Sequence, residues 1–129
     1  MPNTAFLHAN IRCADLEETR AFFEKFTGLT AGPRPPFASR GYWLYAGDMP
    51  VVHLVQRRPD EPSAHGSGAI DHLAFQGTDL DAVRRALADA GMPWREAEVP
   101  GDGTVQIFLK DPNGIQIEIA FAPQAGHPT

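Results

Sequence analysis

Four side chains stand out for the chemistry their types and spacing allow: His8, His53, His72 and Glu118. Two imidazoles and one carboxylate are a donor set with which Fe(II), Mn(II), Ni(II) or Zn(II) is held. His8, His72 and Glu118 are therefore the expected ligands of one divalent metal ion. A buried glutamate without a partner would be costly, and a cation supplies that partner. His65 and His127, in polar segments outside any repeated pattern, read as ordinary hydrogen-bonded or surface histidines.

The elements that must position these groups emerge from an internal repeat. Residues 6–29 and 70–92 superimpose at a shift of 64, which lays His8 on His72, Asp15 on Asp79 and Leu16 on Leu80. Segments 50–55 and 115–120 superimpose at a shift of 65, which lays His53 on Glu118. Each copy opens with a short strand that carries a histidine. A helix follows, announced by an acidic cap at Asp15 or at Thr78-Asp79 and closed by Gly28 or Gly91. Phe22, Phe23 and Phe26 form the apolar stripe of the first helix; Val83, Ala86, Leu87 and Ala90 form that of the second. Short strands divided by Gly47-Asp48, by residues 101–103 and by residues 111–114 complete each copy.

The resulting expectation is an α+β fold of two paired βαβββ modules, eight strands in all, with the helices on one face of the sheet. The 129 residues form a single domain: module one over about 5–57, a linker over about 58–69, module two over about 70–122 and a flexible tail over 123–129. One such unit is small for an independent core, so pairing or exchange between chains is expected, and a homodimer with it.

Side-chain alternation then assigns faces. Ile115, Ile117, Ile119 and Phe121 suit packing under a helix, which leaves Glu118 on the opposite face. Val52 and Leu54 do the same opposite His53. Leu7, Ala9, Ile11 and Cys13 are the apolar set opposite His8, and Leu73 and Phe75 the set opposite His72. Arg12 shares the face of His8 and could pair with an anionic substrate. Tyr42, Trp43 and Tyr45 form an aromatic strand that could wall a planar substrate, with Tyr42 as the lining candidate.

Composition sets the outer bounds. Hydrophobic residues make up 43% and charged residues 21%, with a formal net charge of −5. No basic stripe tracks along any segment, so nucleic acid and anionic membranes are poor partners and a small-molecule substrate is expected. The single Cys13 excludes an intrachain disulfide. The start lacks the basic and apolar regions of a secretory signal, and no apolar stretch reaches the roughly 18 residues of a membrane helix, so a cytoplasmic location is expected.

The chain resembles the vicinal oxygen chelate superfamily, which includes glyoxalase I, extradiol ring-cleaving dioxygenases, and fosfomycin- and bleomycin-resistance proteins. The resemblance rests on His8-x6-Asp15-Leu16, on Phe22, Phe23, Gly28 and Leu29, and on Asp111-Pro112-Asn113-Gly114-x3-Glu118. It implies the paired βαβββ fold. Because residue 53 is His, as in the extradiol members, rather than the Glu of glyoxalase I, it implies Fe(II) held by His8, His72 and Glu118. His53 would be the catalytic acid/base, and a catechol or similar oxygen-chelating molecule would be cleaved by O2. That pattern normally has a Tyr where Phe108 stands, which makes Phe108 a candidate substrate neighbour, and a histidine that residues 99–104 do not supply. The alternatives are a glyoxalase-type lyase or isomerase acting through a metal-bound enediolate, with His53 as a fourth ligand, and a metal-free small-molecule binding protein.

Overall fold

The computed structural model describes residues 5–62 and 65–123. The expected tail, with His127, lies outside the described residues from residue 124 on. The chain divides into two compact units, Met1–Ser63 and Ala64–Thr129.

The first unit runs β1 (Ala9–Cys13), α1 (Leu16–Phe26), β2 (Thr30–Gly32), β3 (Gly41–Ala46) and β4 (Met49–Gln56). Asp15 starts α1 by accepting the Glu18 amide on its side chain at 3.0 Å, so an otherwise orphaned helix donor is satisfied. Thr27 ends the helix, and Gly28 follows at φ 76°, a conformation that favours glycine. The sheet order is β1-β4-β3-β2, with β1 parallel to β4 and the other pairs antiparallel. A parallel pair needs a crossover, and α1 provides it. Phe22, Phe23 and Phe26 bury the apolar stripe of α1, and Ile11, Cys13, Leu44, Val52 and Leu54 are buried from the sheet.

The second unit repeats this order as β5 (Leu73–Gln76), α2 (Leu80–Asp89), β6 (Arg95–Glu98), β7 (Val105–Lys110) and β8 (Gln116–Phe121). Its sheet order is β5-β8-β7-β6, again with one parallel pair, β5 with β8. Asp79 caps α2 by accepting the Ala82 amide. Leu80 and Leu87 are the buried residues of α2, and Ile107, Ile117, Ile119 and Phe121 are buried in the sheet. The fold is thus α+β, two βαβββ modules with eight strands. Among the described residues no helix is long and apolar enough to cross a membrane.

Leu7 departs from the expectation. β1 begins only at Ala9, so Leu7 lies ahead of the ladder and is exposed rather than packed under the helix.

Gly77, just after β5, shows how closely the second core is filled. A Cβ there would lie 2.2 Å from Phe121 Cε1 and 2.8 Å from Ile119 Cγ2, both on buried side chains. Gly77→Ala is therefore expected to cost about 2 kcal/mol through overpacking. Urea unfolding, read as a lower midpoint with unchanged slope, checks it.

Candidate functional site

Strand register places the donors. In the first sheet His53 on β4 stands opposite Asn10 on β1 and Trp43 on β3, and Trp43 stands opposite Gly32 on β2. In the second, Glu118 on β8 stands opposite Ala74 on β5 and Phe108 on β7, and Phe108 stands opposite Arg95 on β6. Opposed residues share a face of a sheet. His53 and Glu118 therefore hold equivalent positions in the two modules, as do Trp43 and Phe108. His8 and His72 each sit one residue ahead of the first strand of their module.

In the first unit His53 is buried between two flat groups. The His8 ring stacks on one side at 3.7 Å, and the Trp43 indole on the other at 4.0 Å, with interplanar angles of 11° and 12°. His53 Nε2 lies 3.1 Å from the Pro50 carbonyl. A carbonyl only accepts, so this contact assigns the ring proton to Nε2 and leaves a lone pair on Nδ1. Burial first, then the neighbouring charge of His8, hold His53 below the ordinary imidazole range; the Pro50 carbonyl opposes this and the Arg34 charge adds to it. The neutral, proton-accepting form is favoured.

In the second unit His72 lies between two carboxylates. Its Nδ1 donates to Asp71 Oδ2 at 2.7 Å, and its Nε2 faces Glu118 Oε1 at 3.1 Å. The hydrogen bond from His72 is the main reason the Asp71 carboxyl titrates below its usual range. With the Nδ1 proton committed to Asp71, Nε2 and Glu118 Oε1 bring two lone-pair donors together, and only a shared proton or a cation makes that contact favourable. A carboxylate that orients a histidine from behind is a common outer partner in metal sites. This donor set fits a divalent cation. The Phe108 ring meets His72 edge-on at 5.9 Å and carries the Arg95 guanidinium 4.2 Å from its centroid.

Glu118 owes its position to the turn between β7 and β8. Asp111, itself buried, accepts the Asn113 and Ile115 amides on Oδ1 at 2.9 and 2.8 Å, and the Asn113 side-chain amide on Oδ2 at 2.9 Å. The Asp111-Pro112-Asn113-Gly114 motif is thus a turn that leads into β8.

Each unit brings two of the four donors together: His8 with His53, and His72 with Glu118. Among the described residues no three His, Cys, Asp or Glu side chains are gathered in the arrangement of a metal cage.

Two substrate candidates are engaged elsewhere. Tyr42 faces α1, where its hydroxyl donates to Glu17 at 2.6 Å and its ring lies under Arg20, so Trp43 takes the lining role assigned to Tyr42. Arg12 is committed to Glu61 through both Nε, at 2.8 Å, and Nη2. Asp71, Trp43 and Arg34 are the additional groups. Asp71 was legible as the residue adjoining a histidine, whereas Arg34 lies in the β2–β3 connection, where no periodicity marks it.

A model of the Glyoxalase/Bleomycin resistance protein/Dioxygenase superfamily matches residues 5–119. The chain is 27% identical to Glyoxylase I 4 of Arabidopsis thaliana over 90% of this chain and 70% of that protein. It is 30% identical to a lactoylglutathione lyase of Salmonella typhimurium over 93% and 94% of the two chains. A glyoxalase/dioxygenase structure from Nostoc punctiforme superimposes with a TM-score of 0.69 at 18% identity, over 93% of this chain and 92% of that one. The fold defines a protein of two βαβββ modules in which His53 and Glu118 hold equivalent register positions. The chain belongs to the Glyoxalase/Bleomycin resistance protein/Dioxygenase superfamily.

Proposed function

We propose that the protein is a divalent-metal-dependent lyase or isomerase that moves a proton at a carbon beside two adjacent oxygens of a small molecule. His8, His72 and Glu118 would hold the ion, and His53 would accept the proton on Nδ1. The bound ion would polarise the substrate oxygens and acidify the neighbouring C–H. His53 suits its part because His8 and Trp43 clamp its ring and burial keeps it uncharged. The observation that carries the reading is the His72–Glu118 contact, backed by Asp71. The lyase name of the Salmonella typhimurium relative supports this reaction class.

Ring cleavage has less support. Position 108, opposite Glu118, is a phenyl ring packed on His72, with no hydroxyl to aim at a catechol oxygen.

Protein purified without chelators and loaded with Ni(II), Zn(II), Mn(II) or Fe(II) is expected to convert hemithioacetals of 2-oxoaldehydes to thioesters. Absence of that turnover with every metal, or oxygen uptake with catechols at full iron loading, would overturn the assignment. Phe6, Leu7 and Ile70 are exposed apolar side chains that a second copy of the chain would cover, and light scattering is expected to report a homodimer. Asp71→Asn is expected to weaken metal binding about 10–100-fold, read by competition with a chromophoric chelator. Because Asp71 is exposed, the metal-free melting temperature should barely move.

A further inference from the structure

The first unit holds a cavity of about 540 Å³ beside His8 and His53, a volume in the range of small-molecule sites. Its walls are largely apolar, with Phe37, Trp43, Met49 and Val55 among them, and it has one cationic wall, Arg34. Arg34 is held in place without a carboxylate. Its guanidinium lies 5.0 Å from the Phe37 ring centroid and its Nη2 donates to Ser39 Oγ at 3.2 Å. A Cβ on Gly41 would come within 2.9 Å of Nη2 and 2.3 Å of the Leu54 carbonyl, so the guanidinium occupies room that only glycine leaves. Its Nε is buried with no hydrogen-bond partner.

In this unit Arg12, Arg20, Arg40 and Arg58 each pair with a carboxylate, and Arg57, which lines no part of the cavity, donates to the Glu61 carbonyl. Among the described residues Arg34 has no carboxylate partner. A fixed guanidinium that borders an apolar cavity and has no carboxylate of its own is matched by a planar carboxylate, which it can take in a bidentate contact.

We infer that this cavity binds a small molecule with a flat apolar body and a carboxylate, the body lying against Trp43 and Phe37 and the carboxylate on Arg34. As a statement about the substrate this rests on the reaction reading above; as a statement about binding it does not, and the test measures binding alone. Phenylacetate and its neutral isostere phenylacetamide are titrated into the full-length protein at fixed ionic strength, by calorimetry and by the ring protons of Trp43. The carboxylate is expected to bind at least about tenfold more tightly than the amide, with shifts at Trp43. Arg34→Met is expected to abolish that preference while leaving amide affinity within about twofold, and Arg34→Lys to keep part of it. Equal affinities in the wild type, a preference that survives Arg34→Met, or binding that leaves the Trp43 signals unmoved would each overturn the inference. Loss of the preference in Arg34→Met without any hemithioacetal turnover would overturn the reaction reading and leave this site standing.

Discussion

Glu118→Gln is expected to remove metal-dependent activity while leaving the metal-free fold as stable as before, or more so. The physical argument has two halves. Glu118 is only 7% exposed, and its carboxylate meets the Nε2 edge of His72 at 3.1 Å. Without metal the contact is favourable only through a shared proton, which does no more than offset the cost of burying the carboxylate, so the glutamate adds little to the stability of the metal-free protein. An uncharged amide of the same shape relieves that cost and can donate to Nε2. Metal binding changes the balance, because the cation needs the carboxylate charge that Gln lacks. The loss should exceed the roughly 10–100-fold that removal of an outer partner causes, and reach on the order of a thousandfold in affinity and turnover. Elemental analysis, chelator competition and a thermal melt of the metal-free protein read the three quantities together. A Gln variant that binds metal like the wild type would sink the ligand assignment. A variant that melts well below the wild type without metal would show that Glu118 is a structural residue. His53→Gln provides the contrast: as a proton acceptor it should lower turnover while sparing metal content.

Why these residues were readable in advance, and others not, follows from what repetition and alternation can carry. In β8 every second residue is a large aliphatic or aromatic group, all buried, so the side of Glu118 follows from parity alone. His8 and His72 were legible because the same strand start occurs twice. In β3 the information fails: Tyr42, Trp43, Leu44 and Tyr45 are all apolar or aromatic, so alternation has no contrast to report. An irregularity between Leu44 and Tyr45 further offsets the count. The structure sends Tyr42 to α1 and Trp43 to His53. Arg12 illustrates a second limit. Its side of the strand was accessible to sequence reasoning, but its carboxylate partner lies 49 residues away in a loop. Arg34 sits in a connection held by Phe37, Ser39 and the bare backbone of Gly41, contacts that leave no spacing pattern.

Asp111→Ala should be among the most destabilising single changes on this chain, and it should disturb the site without touching it. Asp111 is 4% exposed, and its carboxylate takes three N–H donors, from the Asn113 and Ile115 backbones and the Asn113 side chain. Its backbone closes the same turn, with the Asp111 amide donating to Ile115 O at 2.9 Å and the Gly114 amide donating to Asp111 O at 3.0 Å. Alanine removes the carboxylate that all three donors share, in a place that water reaches poorly. At about 1 kcal/mol for each lost bond, the expected loss is about 3 kcal/mol, or about 10 °C in melting temperature for a chain of this size. Asp111→Asn retains an oxygen in the Oδ1 position for the two backbone amides but sets an NH2 against the Asn113 side-chain amide, and should lose about 1.5 kcal/mol, half of the alanine loss. The turn also fixes how β8 enters the sheet. In the register that results, Glu118 faces Phe108 and Ala74 and meets His72. A one-residue slip would move Glu118 to the helix side and an isoleucine to the metal side. Asp111→Ala is therefore expected to weaken metal binding as well as the fold, although Asp111 is no ligand. Asp111→Asn should melt between the alanine variant and the wild type and keep its metal. If alanine lowered the melting temperature by less than about 3 °C, under 1 kcal/mol at this chain length, the turn would not be the clamp that positions Glu118.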